Sequence, residues 1–378
     1  MKIIYCMASV YNPGGMERVL LNKVRYLSEK GGYELAIVTT DQGGRPPFYA
    51  FPEGVEIVDL DINYTADLGK QPLERIVAYL RRRRRHRKRL TEFLMAEKAD
   101  IVVSLYPSES SFIPSIKDGS KKVLELHFNK FFRLQYGRTG LLGLIDRYRT
   151  WQDERIVRRF DRFVVLTHED AGYWGALPNL QVIPNAALTI PETGWSEESR
   201  RVIAVGRLDY QKGFDRLVDA WALLPDDLRE TWRLDIFGQG EWEVMLRERM
   251  RKKGVEGSAR LNSPTKEIFK EYGASAFLVM SSHYEGFPMV LIEAMACGLP
   301  GVCFSFPCGP RDILEDGVNG RLVAEGDIPA LARAMENLMR DHALRAHMSA
   351  RAREVTETYS EEKVMQQWTE CFNSLLEG

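Results

Sequence analysis

The chain has 378 residues, 44% of them hydrophobic and 28% charged, with a formal net charge of −1. That length predicts two or three domains, two large ones each able to bury its own core, and the near-zero charge implies no global attraction to nucleic acid. The five cysteines lack CxxC spacing and a histidine cluster, which argues against zinc; an odd count without a secretory pattern fits a reducing cytoplasm.

The opening stretch MKIIYCMASV reads as a first strand, too short in its apolar run for a signal peptide. A turn at Tyr11–Gly15 leads into a helical pattern with apolar Val19, Leu20, Val24 and Leu27, closed by Gly31–Gly32. Strand Leu35–Thr39 completes a strand–helix–strand unit, the building block of a parallel sheet. Strand Val55–Leu60 follows. Next comes a basic helix, with Arg81–Arg85, Arg87, Lys88 and Arg89 between apolar Leu73, Ile76, Val77, Leu80 and Leu90, Phe93, Leu94. Such a run is most simply a solvated helix face. Its functional alternative is attachment to anionic lipid headgroups or a lipid-diphosphate acceptor, with Phe131, Phe132, Leu134 and Tyr136 beside Arg133 and Arg138 as an apolar, basic lip. Residues 1–190 carry 29 Lys+Arg against 22 Asp+Glu, so the first half is the basic one. No aromatic residue is interleaved within 81–89, so nucleic acid is not expected there. No stretch of about 18 apolar residues occurs, so no membrane-spanning helix is expected.

Apolar runs at Ile101–Ser104, Lys122–Leu126 and Arg162–Leu166 repeat the rhythm, and His127 stands at the carboxyl end of one of them. The proline-bearing stretch Gln181–Pro191, leading into polar Glu192–Arg200, marks the domain boundary. We place the first domain at 1–185 and the second at 186–359, with a C-terminal helix over 360–378 returning to the first. In the second half the alternation restarts: strand Val202–Val205, helix Phe214–Leu223, then strands Arg233–Phe237, Phe277–Met280 and Gly301–Phe304. The fold class is therefore α/β, two doubly wound domains facing across a cleft. Ligands in such sheets sit at the carboxyl ends of the strands.

Two elements occupy such ends in the second half. Gly206-Arg207-Leu208, followed by Lys212-Gly213, puts two cations directly after strand Val202–Val205. Arginine grips phosphate oxygens bidentately and lysine acts as a point charge; glycine lets the backbone approach a ligand. The segment Glu285-Gly286-Phe287-Pro288-Met289-Val290-Leu291-Ile292-Glu293 is a turn opening a helix, with Pro288 in its first turn. First-turn N–H groups form an anion site, and the two acids lie on either side of it. A solvated basic turn and surface glutamates are the plain alternatives for these residues singly; their pairing at one sheet edge favours a ligand.

The pattern Gly206-Arg207 … Lys212-Gly213 … Glu285-x7-Glu293 resembles the signature of retaining glycosyltransferases of family 4. Asn12-Pro13-Gly14-Gly15-Met16-Glu17-Arg18-Val19, Ile183-Pro184-Asn185, Ala294–Pro300 and Gly309–Leu314 are similar to that family too, and the likeness runs over essentially the whole chain. The resemblance implies a GT-B fold and transfer of a hexose or N-acetylhexosamine from a nucleotide diphosphate sugar, leaning to UDP-sugars, with the anomeric configuration kept. The acceptor it implies is a growing saccharide or one linked to a polyprenyl diphosphate, in surface polysaccharide biosynthesis. It also implies that Arg207 and Lys212 hold the diphosphate and that Glu293 binds the ribose hydroxyls. Glu285, with the amides of Gly286, Phe287 and Met289, would address sugar and phosphates, while Gly206 and the Gly14-Gly15 loop approach the donor and His127 meets the transferred sugar. No cofactor and no metal are implied, although Asp59-Leu60-Asp61 has the DxD form with which many GT-A enzymes hold a divalent ion. The expected location is cytoplasmic, with Arg81–Arg85 as the candidate contact to the inner membrane face. The alternatives are a nonhydrolysing epimerase and an inactive sugar-nucleotide-binding protein.

Overall fold

The computed structural model describes residues 1–67, 71–105, 108–134, 139–187, 195–196 and 198–377. Much of the boundary stretch 188–197, together with Tyr136 and Arg138 of the expected lip, lies outside the described residues. The chain divides into two units. One comprises Met1–Leu166, Ala171–Ile183 and Met365–Gly378; the other comprises Thr167–Asp170 and Pro184–Val364. Thr167–Asp170, expected with the first domain, groups with the second, where its polar groups also bond. Glu169 pairs with Arg311 and accepts from the Cys308 N–H at 3.1 Å, and Asp312 accepts from the His168 N–H.

The first unit is a seven-stranded sheet of β1 (Lys2–Met7), β2 (Glu34–Thr39), β3 (Glu56–Asp59), β4 (Ile101–Ser104), β5 (Lys121–Glu125), β6 (Arg162–Val165) and β7 (Leu180–Val182). Their order is β3-β2-β1-β4-β5-β6-β7, and every pairing is parallel. Central strands such as Ile101–Ser104 are buried throughout, as a parallel sheet covered on both faces requires. The second unit has β8 (Arg201–Val205), β9 (Arg233–Phe237), β10 (Ala259–Asn262), β11 (Phe277–Met280), β12 (Gly301–Phe304) and β13 (Gly320–Val323), in the order β10-β9-β8-β11-β12-β13. This sheet is also wholly parallel. The order reverses between β1 and β4 in one unit and between β8 and β11 in the other. At such switch points the loops leaving neighbouring strands diverge and open a crevice at the carboxyl edge.

The basic helix spans Pro72–Glu97. Its inward stripe is His86, Leu90 and Leu94, with Leu90 and Leu94 in the core cluster and Phe93 packed against it. Ile76, Val77 and Leu80, read as matching apolar anchors, are instead about half exposed. The arginines divide as the 3.6-residue period demands. Arg82 donates to the carbonyls of Ile62 (2.6 Å) and Asn63, Arg83 to Ser111 Oγ at 3.0 Å, and Arg89 to the Leu60 carbonyl. Arg81, Arg84, Arg85 and Lys88 face solvent. Among the described residues no helix is long and apolar enough to cross a membrane.

Candidate active site

The loop leaving β8 is shaped by close backbone packing. Gly206 N–H donates to the Phe237 carbonyl (3.0 Å) and Leu208 N–H to that of Gln239 (3.0 Å), which ties it to the end of β9. Asp209 then caps the single 3₁₀ turn Tyr210–Lys212 by accepting from the Lys212 N–H at 3.3 Å. The turn ends on Gly213 at φ 59°, where a side chain is disfavoured and a Cβ would stand 2.3 Å from the Ser281 carbonyl oxygen. This contact brings the β8 loop against the loop leaving β11.

Across that seam Lys212 Nζ donates to Glu285 Oε1 at 2.6 Å. Both side chains are largely buried, at 14% and 7% exposure. Ser282 Oγ donates to the same oxygen at 2.7 Å, and Gln211 Nε2 donates to Glu285 Oε2 at 3.1 Å. Gln211 also accepts from Arg207 Nη2 at 2.8 Å and so links the second cation to the same carboxylate. Arg207 has its side chain 70% exposed and a second carboxylate, Asp209, at 3.3 Å. Arg207, Lys212 and Glu285 therefore form one network at the switch point. Sequence reasoning missed Gln211 and Ser282; Gln211 was visible as the polar residue between the two cations.

Pro288 is not in the first turn of the helix. The helix is Met289–Ala296, and Pro288, at φ −81° and ψ 77°, is the centre of an inverse γ-turn in which the Met289 N–H donates to the Phe287 carbonyl at 2.9 Å. The Met289 amide, expected to address a ligand, is thus used within the turn. Gly286 and Phe287 remain on the loop side of it. The helix buries Leu291, Ile292, Ala294 and Met295 and leaves Glu293 half-buried, accepting from Tyr272 Oη at 3.3 Å. Burial, reinforced by the Glu293 carboxylate, raises the Tyr272 phenol well above its usual range, which keeps it a donor.

In the first unit Gly14 caps the helix Gly15–Lys30 after the β1 loop, and the Glu17 carboxylate folds back over Gly14. Gly15 is the first helical residue, with open space where its Cβ would lie. Burial raises the Glu17 carboxyl; its own amide, Asn12 and His127 oppose that shift. His127 follows β5 and is buried, its Nε2 3.2 Å from Glu125 Oε1. The same oxygen takes a salt bridge from Lys23. Neither Glu125 nor Lys23 was singled out from sequence. Glu125 was legible, two residues before His127 and so on the same side of an extended chain.

Asp59 and Asp61 stand on different local backbone. Asp59 ends β3 and accepts from Thr39 Oγ1, the Gly43 N–H and the Asp61 N–H, whereas Asp61 has left-handed backbone, φ 48°. The strand stops before the second acid, so the two do not share a face. Among the described residues no group of three His, Cys, Asp or Glu side chains could hold a metal ion. The expected lip also folds differently. Phe132 packs against the core cluster, Arg133 pairs with Asp153, and Phe131–Leu134 are half-buried.

Two family models match consecutive stretches of the chain: Glycosyltransferase Family 4 over residues 13–187 and Glycosyl transferases group 1 over 187–355. The chain belongs to glycosyltransferase family 4. This glycosyltransferase is 33% identical over 223 residues to the amylovoran biosynthesis glycosyltransferase AmsD of Erwinia amylovora, a stretch that is 56% of this chain and 62% of AmsD. It is 27% identical over 373 residues to an uncharacterized glycosyltransferase of Haemophilus influenzae, covering 97% of this chain and 98% of that one. Among solved structures it resembles a mutant of S. aureus TarM in complex with Fondaparinux, alpha-GlcNAc-glycerol and UDP. The TM-score is 0.77 at 16% identity, over 98% of this chain and 99% of that one. The fold of the glycosyltransferase is GT-B, with two Rossmann-like α/β units.

Proposed function

We propose that the protein transfers a hexose or N-acetylhexosamine from a UDP-sugar to a lipid-linked or growing saccharide in surface-polysaccharide assembly, with retention at the anomeric carbon. The observation carrying this reading is the Lys212–Glu285 pair at 2.6 Å, which joins the loops leaving β8 and β11 at the sheet's switch point beside the amino end of the Met289–Ala296 helix. A diphosphate there meets Arg207, Lys212 and the helix terminus, which together neutralise the charge that grows on the leaving group. Glu293 is assigned to the ribose hydroxyls. Glu285, with the Gly286 and Phe287 amides, takes the sugar and phosphates. Gly206, Gly14 and Gly15 give the backbone room near the donor, and His127 is assigned to the transferred sugar. Because the cations are side chains, the reaction is proposed to need no metal. The names of AmsD and of the TarM complex with UDP support the polysaccharide setting and the nucleotide.

The test is a transfer assay with the purified chain and a panel of nucleotide sugars. Arg207→Ala is expected to lower kcat about 100-fold with an unchanged melting temperature, since the side chain is mostly exposed, and wild-type turnover is expected to persist in EDTA. A folded Arg207→Ala protein with normal kinetics contradicts the site. Conversion of the donor without an acceptor points to an epimerase, and binding without turnover to an inactive sensor.

The proposed location is the cytoplasmic face of an anionic membrane. Supporting it, Val77 and Leu80 run into Arg81, Arg84, Arg85 and Lys88 on the exposed side of one helix. A second helix, Gly140–Val157, exposes Leu144, Tyr148 and Trp151 in one row with Arg147 and Arg155. Apolar and aromatic residues flanked by arginines suit the interface of an anionic bilayer. Co-sedimentation with phosphatidylglycerol vesicles is expected to fall at least 10-fold in an Arg81→Glu/Arg84→Glu/Arg85→Glu variant and to weaken with salt. Salt-independent binding that survives those changes excludes the basic helix.

A further inference from the structure

Four residues from distant parts of the first unit meet behind His127. Glu125 closes β5 and is fully buried. Lys23 lies in the apolar stripe of the Gly15–Lys30 helix, between Leu20 and Val24 and Leu27, and is 4% exposed. Its ammonium makes a salt bridge to Glu125 Oε1, the oxygen that stands 3.2 Å from His127 Nε2. On the other side Lys23 Nζ sits 3.8 Å from the centre of the Trp368 ring. Trp368 comes from the C-terminal helix Glu361–Leu376 and is 1% exposed. The Tyr5 hydroxyl, Glu125 Oε2 and His127 Nε2 itself are buried here without a hydrogen-bond partner among the described residues, so Glu125 reaches the ring by charge at 3.2 Å.

A buried lysine in an apolar stripe is costly to keep, and an ion pair is often no better for stability than two apolar residues. Its retention here needs another account. The pair holds the Glu125 carboxylate ionised and in place, with its Oε1 3.2 Å from the imidazole Nε2. Burial alone would raise the Glu125 carboxyl, but Lys23 and His127 outweigh that and hold it at about 2. An anion 3.2 Å from Nε2 restrains the ring by charge, without a hydrogen bond of good geometry, and leaves Nδ1 as the other face. The aromatic face of Trp368 supplies the remaining contact to the ammonium, so Lys23 does not depend on water.

We infer that Lys23, Glu125 and Trp368 are positioning residues for His127, and that the C-terminal helix returns to the first unit in order to close this cluster. The inference rests on the proposed role of His127. It makes the C-terminal helix part of the reaction's support, although it lies in neither proposed ligand loop.

The test is a mutant cycle in the transfer assay. Lys23→Met/Glu125→Gln removes both charges together, so no lone buried charge remains. It is expected to fold with a melting temperature near wild type, to lower kcat roughly 10- to 100-fold and to leave the donor KM within about threefold. Adding His127→Ala to that variant is expected to cost nothing beyond His127→Ala alone, because both changes disable one unit. Trp368→Leu is expected to lower kcat several-fold, and Trp368→Phe to recover most of it. A double variant with wild-type kcat, or losses that multiply with those of His127→Ala, overturns the inference while leaving the function intact. Wild-type kcat in His127→Ala overturns both the inference and the assigned role of His127. A readout apart from activity is ¹⁵N-histidine NMR: the His127 signal, assigned by its loss in His127→Ala, is expected to shift in Glu125→Gln. An unmoved signal counts against positioning.

Discussion

Lys212→Met is expected to reduce both turnover and stability, and the two losses have separable causes. Lys212 and Glu285 are 14% and 7% exposed, so removing the lysine strands a carboxylate with little access to water. Breaking a buried pair in this way costs about 3–5 kcal/mol. For a unit of this size that lowers the melting temperature by roughly 6–20 °C. Turnover should fall about 100- to 1000-fold, the usual loss on removing a group that stabilises transition-state charge. Ser282 and Gln211 still donate to Glu285, which places the stability loss toward the lower end. The Lys212→Met/Glu285→Gln double variant separates the effects. With both charges gone its melting temperature is expected to return most of the way, while turnover stays low. If turnover recovers together with stability, the pair is a structural clamp and Lys212 has no part in holding the diphosphate.

Gly238→Ala is expected to damage the site by displacing the neighbouring β8 loop. A Cβ at Gly238 would lie 1.9 Å from the Gly206 carbonyl oxygen, a backbone atom, and the Cβ's own position is fixed by the backbone that carries it. No rotamer relieves that contact, so the β8 loop must move by an ångström or more and carry Arg207 and Lys212 with it. Misplacement on that scale costs about 100-fold in rate, and the melting temperature should fall as the β8–β9 packing opens. Gly257→Ala is the control, because a Cβ there meets nothing within 4 Å. Both variants are read by thermal melts and by UDP binding in calorimetry. Normal UDP affinity in Gly238→Ala would mean that the loop's position does not set the site.

The strands whose bounds were legible in sequence are buried inner ones, although the edge strand β3 was also read, as Val55–Leu60. Ile101–Ser104, Arg233–Phe237, Phe277–Met280 and Gly301–Phe304 each have the bounds that their apolar runs gave. The edge strands β10 (ARLN) and β13 (GRLV), and the short β7 (LQV), were not read. An edge strand is buried on fewer sides, so polar residues and glycine are tolerated and the apolar signal disappears. The basic helix misled in its first half for a related reason. Period alone does not say which apolar stripe faces the core, and Leu90 and Leu94 are buried where Val77 and Leu80 are not.

What the sequence determined by itself was which charged residues stand at the carboxyl edge of the second sheet. Arg207, Lys212 and Glu285 sit in short loops at strand ends and Glu293 in the helix that follows one of them, and chemistry confined to a few consecutive residues is readable along the chain. What only the tertiary structure decided is which of them touch. Lys212 pairs with Glu285, 73 residues away; Gln211 joins Arg207 to that pair; and Lys23, Glu125 and Trp368 meet behind His127. Those contacts depend on strand order, since β8 lies beside β11 and the C-terminal helix returns to the first unit. Strand order comes from how whole layers bury their faces, a global balance that no local pattern of residues encodes.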